Sequence, residues 1–240
     1  MTPLLRTYAD RLCAAVDAIV QDEAESIAAA AALVAEQLRR DGLVHVHGPG
    51  GHSALAVQDV FYRAGCPVNI APLVDPGTSL LGGALSSTAT ERERGRASVV
   101  AGLAEGDLLV VVNAFGVNAA CVSAAATARA QGARVIALSS RAAASGLPSG
   151  HPARAGDLPS HADVHIDTHV PPGDVVLCAA PGVEMGGVST VLNSFVLHAV
   201  FAAAVERAPG TTVWRSSYTD GGDAHNARAA ERVRGRVPQL

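Results

Sequence analysis

Five consecutive aliphatic residues, Leu108 to Val112, stand between Asp107 and Asn113. A strand with one wet face alternates apolar and polar residues, so a strand apolar at every position must be covered on both faces. The run therefore asks for a sheet with helices above and below it. The neighbouring sequence has the same grammar. Short apolar segments at Leu43–His47, Pro67–Ile70, Arg134–Leu138, Val164–Ile166 and Val175–Cys178 read as further strands. Helical patterns separate most of them, over about Ala54–Ala64, Ser79–Arg94 and Ala119–Gln131, and a nearly all-apolar helix from about Ser189 to Glu206 is expected to be central. Strands alternating with helices of this length predict an α/β three-layer sandwich around a parallel sheet.

Residues 1–41 differ. Leu4, Leu5, Tyr8, Leu12, Val16 and Ile19, then Ile27, Ala30, Leu33, Val34 and Leu38, recur every three or four residues, which predicts a helical arm. Its Ala-rich face must cover the domain's own sheet or a partner subunit. The α/β domain is expected over 42–208, and 209–240 reads as a polar tail packing on a partner subunit. Ala142–Ser160 is the one stretch with the look of a loose linker.

Composition narrows the chemistry. Hydrophobic residues make up 49% of the chain but aromatics only 3%, so Ala and Val must build the core. All 18 basic residues are arginine, which excludes Schiff-base chemistry, a lysine-anchored pyridoxal phosphate and a lysine-dependent P-loop. A formal charge of −4 with scattered arginines gives no nucleic-acid footprint. Cys13, Cys66, Cys121 and Cys178 form no CxxC pair and read as reduced, buried thiols. The start, Met1-Thr2-Pro3-Leu4, has no basic segment leading into an apolar one, and Ile27–Val34 is too short to cross a bilayer. A cytoplasmic protein with no membrane partner is expected.

In open parallel sheets, ligands bind beyond the carboxyl ends of the strands. That brings together Gly48-Pro49-Gly50-Gly51-His52-Ser53, Asn113–Asn118 and Ser139-Ser140. The first is a glycine-rich turn into a helix, whose outward N–H groups can hold an anion. Its spacing is not GxGxxG, which speaks against a nicotinamide dinucleotide; no cofactor is expected.

These residues resemble the SIS (sugar isomerase) family. Gly48–Ser53 resembles its first ligand loop, and Leu108–Asn118 followed by a helix, Gly132 and Arg134–Ser140 resembles its second strand–loop–helix–strand. The closing Tyr218-Thr219-Asp220-Gly221-Gly222-Asp223-Ala224-His225-Asn226 and Pro181-Gly182-Val183-Glu184 resemble a subgroup of SIS proteins near the N-acetylmuramic acid 6-phosphate etherases. The resemblance implies a five-stranded parallel sheet of flavodoxin type, a homodimer or homotetramer with sites at subunit interfaces, and a phosphorylated sugar, often an amino sugar, as substrate. One departure matters: serines flank the residue before Gly116 in the family, whereas this chain has Asn113 and Phe115. Asn113 can still donate a hydrogen bond but Phe115 cannot, so either phosphate anchoring leans on Ser53, Ser139, Ser140 and backbone amides, or the ligand is not a monophosphate. Gly48, Gly50, Gly51, Asn113, Gly116 and Asn118 are the other substrate-binding residues expected.

Proton abstraction next to a carbonyl needs a carboxylate or imidazole. By resemblance Glu91 stands where the etherases carry a catalytic glutamate; by pattern alone Glu91, Arg92, Glu93 and Arg94 would pair on a solvated helix face. Glu184 precedes a glycine pair and an apolar helix, a place where the helix dipole favours a carboxylate. Ser189 and Thr190 suit ligand contact or an N-cap. His52 is the candidate for sugar-ring opening, and Asp220 and His225 are expected to fold over a neighbouring subunit's pocket. Asp163, His165, Asp167 and His169 alternate as on one strand face, as do His45 and His47. Carboxylate and imidazole at that spacing can bind zinc or manganese, but neither set has the loop geometry of a structural zinc site, and no metal is expected. The activity this implies is C2 proton abstraction from a sugar such as N-acetylglucosamine 6-phosphate, followed by elimination. An aldose–ketose isomerase shares that first step, and a non-catalytic sugar-phosphate sensor is the reading from another class.

Overall fold

A computed structural model describes residues 3–240, leaving Met1 and Thr2 of the opening segment outside it. Eight helices are found there: α1 (Pro3–Asp22), α2 (Ala24–Arg39), α3 (Gly51–Val60), α4 (Ala84–Glu91), α5 (Ala119–Ala130), α6 (Arg141–Gly146), α7 (Ser189–Arg207) and α8 (Gly222–Val233). Seven strands accompany them: β1 (Val44–His47), β2 (Ile70–Leu73), β3 (Leu108–Val112), β4 (Arg134–Ser139), β5 (Val164–Asp167), β6 (Val175–Ala180) and β7 (Val183–Gly187). The first five form a wholly parallel sheet of order β2-β1-β3-β4-β5.

The β3 run behaves as its composition demands. Leu108, Val110 and Val112 enter a core layer with Val34 and Ala35 of α2, Val57 of α3 and Leu192, Val196 and Phe201 of α7. Leu109 and Val111 point the other way, against Cys121, Ala124, Ala125 and Ala128 of α5. The small side chains of α5 let that helix lie close to the sheet, which explains how a core so poor in aromatics closes.

Several boundaries differ from expectation. The helical arm is two helices that break at Glu23, and α2 is a layer of the domain's own core, burying Ala30, Ala31, Val34 and Ala35. The second strand is Ile70–Leu73 rather than Pro67–Ile70, because Pro67 and Val68 pair instead with the chain around Val213 and Thr212. Val175–Cys178 is a strand but lies outside the main sheet: β6 turns at Gly182 (φ +75°) into antiparallel β7. The helix expected over Ser79–Arg94 is confined to Ala84–Glu91, preceded by short 3₁₀ turns. Ala142–Ser160 is not loose: it contains α6, and Ala155 N and Gly156 N both donate to Val117 O.

The closing segment packs on its own chain. Ala229, Val233 and Val237 bury against Val68, Ala71 and Trp214 beside the β2 edge, so the apolar face of α8 is used within the subunit. Among the described residues α7 is long and apolar enough to cross a membrane, yet it packs here against α2 and α3. Of the four thiols expected to be buried, Cys66 and Cys121 are, whereas Cys13 and Cys178 are exposed.

Candidate functional site

The chain leaves β1 for β2 on one side and reaches β3 on the other, so the loops after β1 and β3 part and open a crevice between them. A cleft of about 270 Å³ lies there. Its walls include Gly50–Ser53 from the first loop, Asn113–Phe115 and Asn118 from the second, Thr88, Glu91 and Arg92 from α4, and His151, Asp174 and Ser189.

The first wall has the backbone geometry of a helix start, which can hold an anion. Helix α3 begins at Gly51, three residues before the expected Ala54, which places His52 and Ser53 in its first turn. The first helical bond runs from Ala54 N to Gly50 O (2.9 Å). The N–H groups of Gly51, His52 and Ser53 therefore find no backbone acceptor among the described residues, as a helix start dictates. Gly48 must be glycine, because a Cβ there would stand 2.5 Å from Ser53 O.

Glu91 faces this helix start. A Cβ on Gly50 (φ +114°) would lie 3.0 Å from Glu91 Oε2 and 3.1 Å from Oε1, so the bare Cα leaves room for the carboxylate. Asn118 Nδ2 donates to Oε2 at 3.0 Å, and Asn118 Oδ1 caps α5 at Cys121 N (3.0 Å). Ser87 Oγ is 3.5 Å from Oε1 but has a single proton, which goes to Thr78 O at 2.8 Å. Oε1 is thus left without a close donor. Burial pushes the Glu91 carboxyl above its usual value, opposed by Ser87 and by the Arg92 charge. The pairing with arginines expected from sequence pattern does not form: Glu93 pairs with Arg96 (3.0 Å), and Arg92 makes no ion pair among the described residues. Arg92 lines the cleft instead.

In the second loop Asn113 is held at both ends of its side chain, with one of its two Nδ2 protons left to donate. Asn113 Nδ2 donates to Pro49 O (3.1 Å), and its Oδ1 accepts from Gly116 N (2.9 Å), so it ties the two loops together. Phe115 presents its ring to the cleft and packs on the core. Gly116 (φ +61°) is pressed against Ser139, where a Cβ would come within 2.7 Å.

Other expected residues lie elsewhere. Ser139 Oγ bonds His165 Nε2 (3.0 Å), while Ser140 caps α6 at Ala143 N (3.1 Å) and donates to Val170 O (2.6 Å). Both are buried structural hydroxyls outside the cleft. Glu184 sits on the exposed β7, and the start of α7 is taken by Asp174. Asp174 Oδ1 accepts from Ser189 N (2.7 Å) and Val188 N (3.1 Å), and Oδ2 from Ser189 Oγ (2.6 Å), so Ser189 serves the helix start and Thr190 lies outside the cleft. His225 Nε2 bonds Val213 O (2.8 Å) within its own subunit, and Asp220 is exposed. The alternating acidic and histidine set is dispersed: Asp163 pairs with Arg134 (3.0 Å), Asp167 with Arg141 (3.2 Å), and His169 falls beyond β5. Among the described residues no group of three or more His, Cys, Asp or Glu is placed to hold a metal ion.

Sequence reasoning missed Asp174, Arg92 and His151. Asp174 adopts φ +63°, rare for a residue with a side chain, and no local pattern announces that.

A parallel sheet with strand order 2-1-3-4-5, opening at its switch point onto free helix amides and a half-buried carboxylate, defines a doubly wound α/β domain. The chain belongs to the SIS domain family, whose model matches residues 7–140. A UPF0309 protein of Streptomyces griseus is 40% identical, covering 90% of this chain and 89% of that protein. A UPF0309 protein of Brucella canis is 35% identical over the whole of both chains. Among solved structures, a phosphoheptose isomerase from Francisella tularensis has a TM-score of 0.55 at 18% identity, covering 86% of this chain and all of that one. A phosphoheptose isomerase from Neisseria gonorrhoeae has a TM-score of 0.54 at 18% identity, covering 84% and 97%. At that identity the likeness establishes the fold.

Proposed function

We propose that this protein is an enzyme of phosphorylated sugars in which Glu91 removes the proton at C2 of an open-chain substrate. The observation that carries the reading is the Glu91 carboxylate: Oε2 is fixed by Asn118, Oε1 has no close donor, and burial raises its proton affinity. A carboxylate so held is poised as a general base, because catalytic efficiency is greatest when the base's pKa approaches the working pH.

The anion of the substrate is assigned to the free amides of Gly51, His52 and Ser53 together with the unpaired Arg92, since Phe115 cannot donate to it and Asn113 is tied to Pro49 and Gly116. His52, exposed in the first turn of α3, is assigned to ring opening. The substrate class that fits is an amino sugar 6-phosphate such as N-acetylglucosamine 6-phosphate. An acetamido group at C2 cannot pass into a ketose without loss of nitrogen, whereas elimination across C2–C3 proceeds directly from the C2 carbanion. A lyase of dehydratase or etherase type is therefore our reading. Aldose–ketose isomerisation shares the C2 step, and the names of the fold's relatives favour it as the second reading.

Leu81, just before α4, and Leu85, in its first turn, are fully and nearly fully exposed (100% and 89%), which supports a second copy covering that face in a homodimer or homotetramer. Four unpaired cysteines support a cytoplasmic setting. Incubation with N-acetylglucosamine 6-phosphate, followed by mass spectrometry and ultraviolet absorbance, tests the outcome. Loss of water with a new chromophore supports the lyase; an isomer of unchanged mass from a 2-hydroxy sugar phosphate supports the isomerase. No change in any such substrate contradicts both.

A further inference from the structure

Glu91 accounts for where the C2 proton goes but not for the charge it leaves behind. Removing that proton drives the C2–H electron pair toward the neighbouring carbonyl, whose oxygen becomes an oxyanion. Such charge needs a positioned donor. In the second loop Asn113 is tied at both ends, to Pro49 O and Gly116 N, which leaves one Nδ2 proton, and Phe115 has no polar side-chain atom.

His151 is a donor of the required kind. It lies in the segment after α6, lines the cleft together with Glu91, and is held by a short chain of bonds. His151 N donates to Pro148 O (3.0 Å), and Arg154 N to His151 O (2.9 Å). The Arg154 guanidinium bonds Ala144 O (2.6 Å) and Leu147 O (2.8 Å), and Ala155 N donates to Val117 O (2.8 Å), which fastens the segment to the loop after β3. The ring itself is oriented: Ala153 N–H donates to His151 Nδ1 at 3.2 Å. A nitrogen that accepts carries no proton, so the neutral ring has its proton on Nε2. Nε2 has no protein partner and is not buried. His52, by contrast, has no hydrogen bond that orients its ring among the described residues.

We infer that His151, through Nε2–H, is a catalytic hydrogen-bond donor to the substrate's carbonyl oxygen when Glu91 takes the C2 proton. The inference rests on the Glu91 reading and deepens it. The C2–H bond breaks, its proton goes to Glu91 Oε1, and its electron pair forms the C1–C2 double bond while the C1 oxygen gains the charge. Nε2–H keeps its proton throughout and stabilises that oxygen by a hydrogen bond. No oxidant, metal or further reactant is needed.

The test follows exchange of the C2 hydrogen of N-acetylglucosamine 6-phosphate in D₂O by NMR, with substrate affinity measured separately by calorimetry. H151A is expected to slow exchange by at least about 100-fold while its dissociation constant stays within about threefold, because an oxyanion donor acts in the transition state and not in the ground state. H151Q, whose amide N–H can stand in, is expected to recover part of the rate. The ¹⁵N spectrum of the wild-type protein is expected to show His151 protonated on Nε2 and bare on Nδ1, a readout that depends on no variant folding. Wild-type exchange in H151A, equal losses of rate and affinity, or a proton on Nδ1 would each overturn the assignment. Absence of exchange in the wild-type protein overturns the Glu91 reading itself, and so separates the two failures.

Discussion

Asn118 joins the loop after β3 to Glu91: its Nδ2 holds Glu91 Oε2 at 3.0 Å while its Oδ1 caps α5 at Cys121 N, also at 3.0 Å. One side chain thus stabilises a helix and aims a carboxylate. The two duties separate by mutation. Asn118→Asp keeps the cap but sets a second carboxylate against Glu91, which favours the protonated, inactive base. Turnover at neutral pH is expected to fall by roughly tenfold or more with little loss of stability. Asn118→Ala loses the cap as well, at a cost of about 1 kcal/mol read from denaturant unfolding.

Gly50 makes room for the same carboxylate. Its φ of +114° is one that side-chain-bearing residues rarely adopt, and a Cβ there would press on all three Glu91 carboxyl atoms at 3.0–3.1 Å. Gly50→Ala is expected to cost on the order of 1–3 kcal/mol in stability through the backbone alone. Because the carboxylate must also shift, activity should fall further than the lowered melting temperature accounts for. Unchanged activity in a well-folded Gly50→Ala protein would contradict the close approach.

Burial raises the Glu91 carboxyl above its ordinary value, with a definite sign for stability. The folded chain binds this proton more tightly than the unfolded chain, so stability falls as pH rises from about 4.3, the unfolded value, through the raised folded value. Glu91→Gln removes that penalty. The variant is expected to be inactive yet to melt higher than wild type at pH 7, and the gain should vanish as pH falls below the unfolded value. Melting curves at pH 7 and pH 4 check this.

Arg92 is assigned to the substrate's anion and also lowers the Glu91 carboxyl through its charge. Arg92→Ala is expected to raise KM by about tenfold with a smaller change in kcat, as loss of uniform binding does. Without the guanidinium the carboxyl rises further, so the acid limb of the pH–rate profile should move to higher pH. A KM that stays put would remove Arg92 from the anion site.

Much of the fold was legible because burial writes itself into composition. Leu108–Val112 could only be a strand covered on both faces, and the glycine-rich turn after β1 could only begin a helix facing the ligand side. Long-range pairing was harder to read. Pro72 lies beyond the expected Pro67–Ile70 run, yet it belongs to β2, the sheet's edge strand, where a missing N–H is tolerated. Val175–Cys178 had the composition of a sheet strand, and only the Gly182 turn into Val183–Gly187 made it half of a hairpin. The candidate site divided the same way. His52 and the first loop followed from local pattern and family resemblance, and Glu91 from the resemblance against a local pattern that read as a solvated face, whereas Asp174 and His151 depend on contacts across the fold. His151 lay in a stretch rich in Pro, Gly and Ser whose order comes from bonds to Val117, Ala144 and Leu147, partners that no local reading can supply.

The central claim is that Glu91 takes a proton from carbon. Solvent exchange at C2 of N-acetylglucosamine 6-phosphate in D₂O, followed by NMR for the wild-type protein and for Glu91→Gln, tests it without reference to the final product. The account predicts deuterium at C2 with wild type and at least about a 100-fold slower exchange with the variant. Equal exchange by the two proteins, or none by wild type, would contradict it.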